Sequence, residues 1–305
     1  MTFNADITEF FKKETGGAPP AVSKKYRVPP KGGKLKIEPK DLVNFQKLYP
    51  VKSKAGGFNV GNGELATFYL FNFENPKQPK TRAQENRGGS DADLIIDKKN
   101  VEIKAYPYKT GGADKKVGLG RFGQYYAFRE MISTMFAVDN IMRGSGSFID
   151  LQNFSYKDIK SAGENLCVMR EVLFKNTSLM KIEFLKKLSE NIKKFDKIAN
   201  DEDIKSICYK RGQPRPGGDK MATAISKYIL KKMFAAKPGD GGYMLNIGSD
   251  SSDKRKFDEE AGLVFTKIDV ENIDEDAIST ETPQNFTFTG GKLEVRINNL
   301  FPLRK

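Results

Sequence analysis

The chain reads as an α/β protein, with an early hairpin, a helical insertion or subdomain and further strands towards its C-terminal end. Three observations predict this. The apolar run Leu94-Ile95-Ile96 is followed by turn chemistry, Asp97-Lys98-Lys99-Asn100, and then by Val101 and Ile103 alternating with Glu102 and Lys104; that is a strand, a turn and a second strand. From about 155 to 238 helical spacing dominates, most plainly from Leu179 to Phe195. Beyond 240 the text turns to strands, at 243–247 and 263–268, with a hairpin over 286–297 that turns on a Gly-Gly pair.

Taken in order, residues 1–14 predict a short amphipathic helix. Residues 15–36, rich in Gly, Pro and Lys, predict a linker or extended arm, and 40–48 a second short helix. The core starts near residue 58, ahead of the hairpin. After the hairpin, residues 106–116 carry a Gly pair and lysines and read as a basic loop, and 121–142 as a helix. Gly212 to Gly218 forms a Pro-rich loop, after which Asp219 would cap a helix over 220–236. Four segments follow: a basic N-terminal helix and arm (1–57), a core (58–152), a helical insertion or subdomain (153–240) and a β-rich end (241–305) in which a strand completes the core sheet.

The chemistry concentrates in the hairpin. Glu102 and Lys104 are two apart on a strand and point to one face. Asp93 heads the partner strand and can lie across from them. Two carboxylates and an ammonium at one spot suit holding Mg²⁺, a hard cation that prefers carboxylate and carbonyl oxygens and keeps several waters. Beside a phosphate such an ion polarises the phosphoryl oxygen and acidifies a water, while a lysine steadies the charge that builds on phosphorus. Asp91 and Asp97 are rival aspartates, and both read more naturally as solvated turn residues. A second Glu-x-Lys, Glu38-Pro39-Lys40, has Pro in its middle and no aspartate-headed run before it, so it does not belong to a central strand.

Over residues 58 to 130 the sequence resembles the PD-(D/E)xK nuclease superfamily, whose restriction-endonuclease-like core is a central mixed β-sheet flanked by helices, one of them, ahead of the hairpin, starting near Glu64. The resemblance rests on four elements in order: Gly61-Asn62-Gly63-Glu64, Asp93, Glu102-Ile103-Lys104, and Gln124 in Gly120-Arg121-Phe122-Gly123-Gln124-Tyr125. The last is similar to the Gln-x-x-x-Tyr helix of the RecB and phage-exonuclease branch, with Phe128 in place of its tyrosine. The residue before Asp93 is Ala92 rather than proline. The resemblance implies a Mg²⁺-dependent deoxyribonuclease, with Mn²⁺ as a substitute ion. Asp93, Glu102, the Ile103 carbonyl and Glu64 would hold metal, Lys104 would position the attacking water, and Gln124 and Arg121 would contact substrate or orient the site.

Composition narrows the alternatives. With no histidine among its 305 residues, the chain has no Ser-His-Asp or Cys-His machinery and no His-bearing zinc site, so metal chemistry must run on carboxylates. Two isolated cysteines, Cys167 and Cys208, suit a reducing, cytoplasmic setting. The net charge of +13 favours a polyanion, and DNA is the expected partner. Residues 1–60 hold 12 Lys/Arg against 5 Asp/Glu, and residues 250–282 hold 4 against 11. Candidate phosphate contacts are therefore Lys24, Lys25 and Arg27 in the arm, and Lys109, Lys115, Lys116 and Arg121 beside the hairpin. No apolar run is long enough to suggest a membrane, and homo-oligomerisation is compatible with the sequence. Frequent Lys, Asn and Phe without His or Trp suggest a biased, AT-rich genome, and a phage or mobile-element origin would fit the resemblance. Two readings stand beside the nuclease: a non-catalytic module on the same fold that holds nucleic acid in a packaging, repair or recombination complex, and an unrelated α/β protein with a chance hairpin. Endo- versus exonuclease action stays open.

Overall fold

The architecture is α/β, built on an open mixed sheet. The computed structural model describes residues 2–55, 59–72, 80–81, 92–107, 114–121, 125–143, 156–199, 218–234, 242–268, 278–279 and 292–298. The chain divides into two compact units: Met1–Lys115 with Met233–Asn272 and Ile297–Lys305, and Lys116–Lys232 with Ile273–Arg296.

The first unit carries the main sheet. Its strands are β1 (Gly33–Leu35), β2 (Lys80–Thr81), β3 (Leu94–Ile96), β4 (Lys99–Pro107), β6 (Gly242–Ser249) and β7 (Leu263–Ile268), in the order β1-β7-β6-β4-β3-β2. The β4–β6 pair is parallel and the other pairs are antiparallel. The β3–β4 connection is a two-residue turn in which Asp97 (φ 50°) and Lys98 (φ 64°) both adopt left-handed backbone, the geometry that matches strand twist in a tight hairpin. Asp97 is more than a solvated turn residue. Its Oδ2 accepts the N–H of Val28 at 3.1 Å and so ties the N-terminal segment to the hairpin.

One face of this sheet makes the core. Leu94, Ile96, Val101, Ile103, Tyr243, Leu245, Ile247, Leu263 and Phe265 pack with the inner faces of α1 (Phe3–Thr15), α2 (Pro39–Leu48) and α3 (Glu64–Asn72). Helix α1 buries Phe3, Ile7 and Phe11, one stripe at helical spacing. Pro39 occupies the first turn of α2, where its missing N–H costs nothing, so Glu38-Pro39-Lys40 starts a helix rather than a strand. The segment expected to be a linker or arm is instead packed down: Val22, Tyr26 and Val28 are buried in the same core. Its anchor is Asp41, fully buried, which accepts the Ser23 N–H (2.9 Å), the Ser23 hydroxyl (2.5 Å) and the Tyr26 hydroxyl (2.6 Å). Lys24, Lys25 and Arg27 remain exposed on the outside of this segment, where Lys24 pairs with Glu38 and lies 5.2 Å from the centre of the Tyr26 ring.

The second unit is largely helical. It holds α4 (Tyr126–Arg143), α5 (Tyr156–Lys175), a 3₁₀ turn (Thr177–Lys181), α6 (Glu183–Ala199) and most of α7 (Gly218–Phe234). A small sheet runs β5 (Asp114–Arg121), β9 (Lys292–Asn298), β8 (Ile278–Ser279). Three expectations shift here. Lys115, Lys116 and Arg121 lie on strand β5, not in a loop or at a helix start; edge pairing in a sheet supplies backbone bonds to a segment whose glycines and lysines argue locally for a loop. The following helix starts at Tyr126 rather than 121. Asp219 sits inside α7, which begins at Gly218, rather than capping it. Lys109, Gln124, Asp91 and the first strand of the expected 286–297 hairpin lie outside the described residues; β9 pairs with β8. Among the described residues, no helix is long and apolar enough to cross a membrane.

Candidate functional site

The β3–β4 register pairs Leu94 with Val101, Ile95 with Asn100 and Ile96 with Lys99. One step beyond the Leu94–Val101 pair, away from the turn, the same register sets Asp93 across from Glu102. Side chains alternate between the faces of a strand. With Val101 and Ile103 turned to the core, Asp93, Glu102 and Lys104 share the opposite face. The hairpin therefore brings together the three residues that its sequence singled out.

The contacts are close. Lys104 Nζ donates to Glu102 Oε1 at 2.6 Å, with the Glu102 side chain 2% and the Lys104 side chain 21% exposed. Asp93 Oδ2 accepts the N–H of Ile103 at 2.8 Å, taking the position that a β3 carbonyl would have held had the ladder continued. In an extended strand the N–H and C=O of one residue lie on the same edge, so the Ile103 carbonyl lies on the edge of β4 that faces Asp93.

Glu64 reaches the same neighbourhood from α3, of which it is the first residue. Its Oε1 accepts the N–H of Gly61 at 2.8 Å. Gly63 takes φ 94° and its carbonyl receives the first intrahelical bond, from the Thr67 N–H, at 2.8 Å. A Cβ on Gly63 would stand 2.5 Å from Ile247 Cδ1 and 3.2 Å from the Tyr49 ring, so glycine sets how closely the helix start approaches the sheet, and with it where Glu64 projects.

Electrostatics binds the four side chains into one system. The Glu64 carboxyl is pushed well above its usual range, first by burial and then by the charges of Asp93 and Glu102, against the Gly61 N–H and Lys104. Burial alone would depress the Lys104 ammonium; Glu102, Asp93 and Glu64 overcome it and hold the proton more tightly than usual. Three acids thus surround one ammonium, and acid charge is in excess. All are hard oxygen donors of the kind that Mg²⁺ or Mn²⁺ prefers. Among the described residues, no three acidic or thiol side chains converge closely enough to share one ion as they stand; Glu102 Oε1 is engaged by Lys104 and Asp93 Oδ2 by the Ile103 N–H. The donor chemistry fits a divalent cation, and binding one requires these side chains to exchange partners.

Two contributions to this site were not anticipated. One is the close approach at Gly63, a residue named only as part of the motif that leads into Glu64. The other is Asn246 on β6, which the parallel β4–β6 register pairs with Lys104. The signal was available: an asparagine interrupts the otherwise apolar Tyr243-Met244-Leu245-Asn246-Ile247. Comparison with family models, with curated protein sequences and with solved structures finds no match to this chain.

Proposed function

We propose that the protein is a metal-dependent nuclease that hydrolyses phosphodiester bonds of DNA with water, and that its main sheet is a restriction-endonuclease-like core. The observation that carries this reading is the gathering of Asp93, Glu102 and Lys104 on one face of the hairpin, with the Glu64 carboxyl raised there first by burial and then by Asp93 and Glu102. Such crowding is relieved by a divalent cation, and the net charge of +13 favours a polyanionic substrate.

In this reading Asp93, Glu102 and the Ile103 carbonyl hold Mg²⁺ or Mn²⁺, and Glu64 completes the set or serves a second ion. The bound ion supplies polarisation of the phosphoryl oxygen and an acidified water. The remaining work belongs to the chain. The Ile103 N–H fixes the Asp93 carboxylate in place. Lys104, whose proton is held tightly, stays cationic and can orient water and offset charge on the phosphorane-like transition state. Glu64, whose carboxyl burial and its acidic neighbours push well above the usual range, is the side chain whose ionised form a bound cation would stabilise most.

The test is cleavage of labelled linear duplex, circular plasmid and single-stranded DNA with Mg²⁺, Mn²⁺ or EDTA, comparing the parent with Lys104→Ala. Metal-dependent cutting that the variant loses supports the proposal, and the preferred substrate separates exo from endo action. Salt-sensitive binding by both proteins without cutting would replace it with a nucleic-acid-binding module.

A further inference from the structure

Strand β6 is buried along its whole length. Partnered residues of a parallel pair place their side chains on the same face of the sheet. The register matches Met244 with Glu102 and Asn246 with Lys104, so Asn246 lies beside Lys104 on the face of the carboxylates. It is 0% exposed. Its Nδ2 donates to Thr266 Oγ1 at 3.5 Å, a long bond, and its Oδ1 is buried and accepts none.

A buried amide oxygen without a donor costs about 1–3 kcal/mol, and the same-face neighbour on the strand, Met244, is fully buried, so an apolar side chain is accommodated on this face. Such a group calls for an explanation. Lys104 supplies one. An ammonium has three donors, and one of them now goes to Glu102 Oε1. A divalent cation and an ammonium compete for that same carboxylate. A cation that takes Glu102 Oε1 displaces the ammonium, which then needs another acceptor at the site.

We propose that Asn246 is a positioning residue: its carboxamide oxygen is the acceptor to which the Lys104 ammonium moves when a divalent cation occupies Glu102. The inference rests on the reading of the site as a cation site. It makes β6 a working part of the centre rather than support alone. Asn246 lowers the cost of breaking the Lys104–Glu102 pair and keeps the ammonium beside the strand, with its other donors directed to water and phosphate.

The experiment is a double-mutant cycle read by calorimetric titration with Mn²⁺, on the full chain: parent, Asn246→Leu, Lys104→Met and the two combined. Asn246→Leu should weaken Mn²⁺ binding about tenfold, because the displaced ammonium loses its neutral partner. Lys104→Met should strengthen binding, since nothing competes for Glu102. Adding Asn246→Leu to Lys104→Met should then change nothing. An equal loss in both backgrounds would mean that Asn246 acts on the ion or on the fold, and the proposal falls. No loss in either background overturns it as well. In both of these cases the parent still binds Mn²⁺, so the nuclease reading survives; a parent that binds none takes down both. Thermal unfolding without metal should show Asn246→Leu at least as stable as the parent, and if it does not fold, Asn246→Ala carries the same cycle.

Discussion

Gly63→Ala tests whether the start of α3 is built to hold Glu64 over the hairpin. At φ 94° an alanine is strained wherever space allows, at a cost of about 1–3 kcal/mol. Here space does not allow it. The new methyl would stand 2.5 Å from Ile247 Cδ1 and 3.2 and 3.4 Å from two atoms of the Tyr49 ring. Ile247 can turn away only by leaving its rotamer inside the core, which adds about 0.5–1.5 kcal/mol. The sum is a destabilisation of about 2–4 kcal/mol. Urea unfolding followed by tyrosine fluorescence and circular dichroism measures it, with Gly118→Ala as the control, since a Cβ there meets nothing within 4 Å. The functional consequence is separate. If α3 yields by moving outward, Glu64 moves with it, and Mn²⁺ affinity should drop even where the protein is fully folded. A Gly63→Ala variant within about 0.5 kcal/mol of the parent, binding Mn²⁺ as well as the parent does, would refute the idea that close approach at Gly63 positions the site.

Two further predictions concern the packed N-terminal segment. Asp41→Ala leaves the Ser23 N–H, Ser23 hydroxyl and Tyr26 hydroxyl without their acceptor, and should cost about 3 kcal/mol or more in the urea midpoint. Burial pushes the Asp41 carboxyl up, but the bonds from Ser23 and Tyr26 outweigh it and hold the carboxyl below its usual value. A depressed carboxylate contributes stability above its unfolded value and loses it as pH falls through the folded one. The gap between the parent and Asp41→Asn should therefore be widest at neutral pH and close in acid; a gap that widens in acid would contradict the assignment. Asp97→Gly keeps a residue suited to φ 50° and removes the bond to Val28, so it isolates that tether. The expected loss is about 1 kcal/mol, with faster amide exchange at Val28 as the local sign.

What the sequence made legible was local. The β3–β4 hairpin needs only a turn and an alternation, and from it the convergence of Asp93, Glu102 and Lys104 follows by geometry. Helix α3 buries residues on nearly every side, so its pattern carries no face; the resemblance, not periodicity, marked a helix starting near Glu64. The extended arm was misleading because Gly and Pro punctuate it as a linker does, while its hold on the core depends on the Asp41 carboxylate meeting Ser23 and Tyr26, a contact that no periodicity reports. Strand β5 was hidden in the same way. Its glycines and lysines argue for a loop, and its partner β9 arrives from the far end of the chain.

The parallel β4–β6 pair is the clearest case of the non-local. A parallel partner cannot be joined by a tight turn, so nothing near Lys104 in the text says that Asn246 will lie beside it. Yet the register decides the chemistry. Had β6 been displaced by one residue, the face next to Lys104 would present Leu245 or Ile247, and Asn246 would be driven into the apolar core with Val101 and Ile103. The alternation of β6 therefore excludes neighbouring registers through the same residue that serves Lys104. A buried asparagine that costs stability can still be kept when it both fixes a strand's register and gives a lysine somewhere to go. Shifting it to Leu245→Asn with Asn246→Leu should cost far more stability than Asn246→Leu alone, because the amide then faces the core; similar stability for the two would separate register from burial and leave the role at Lys104 as its only justification.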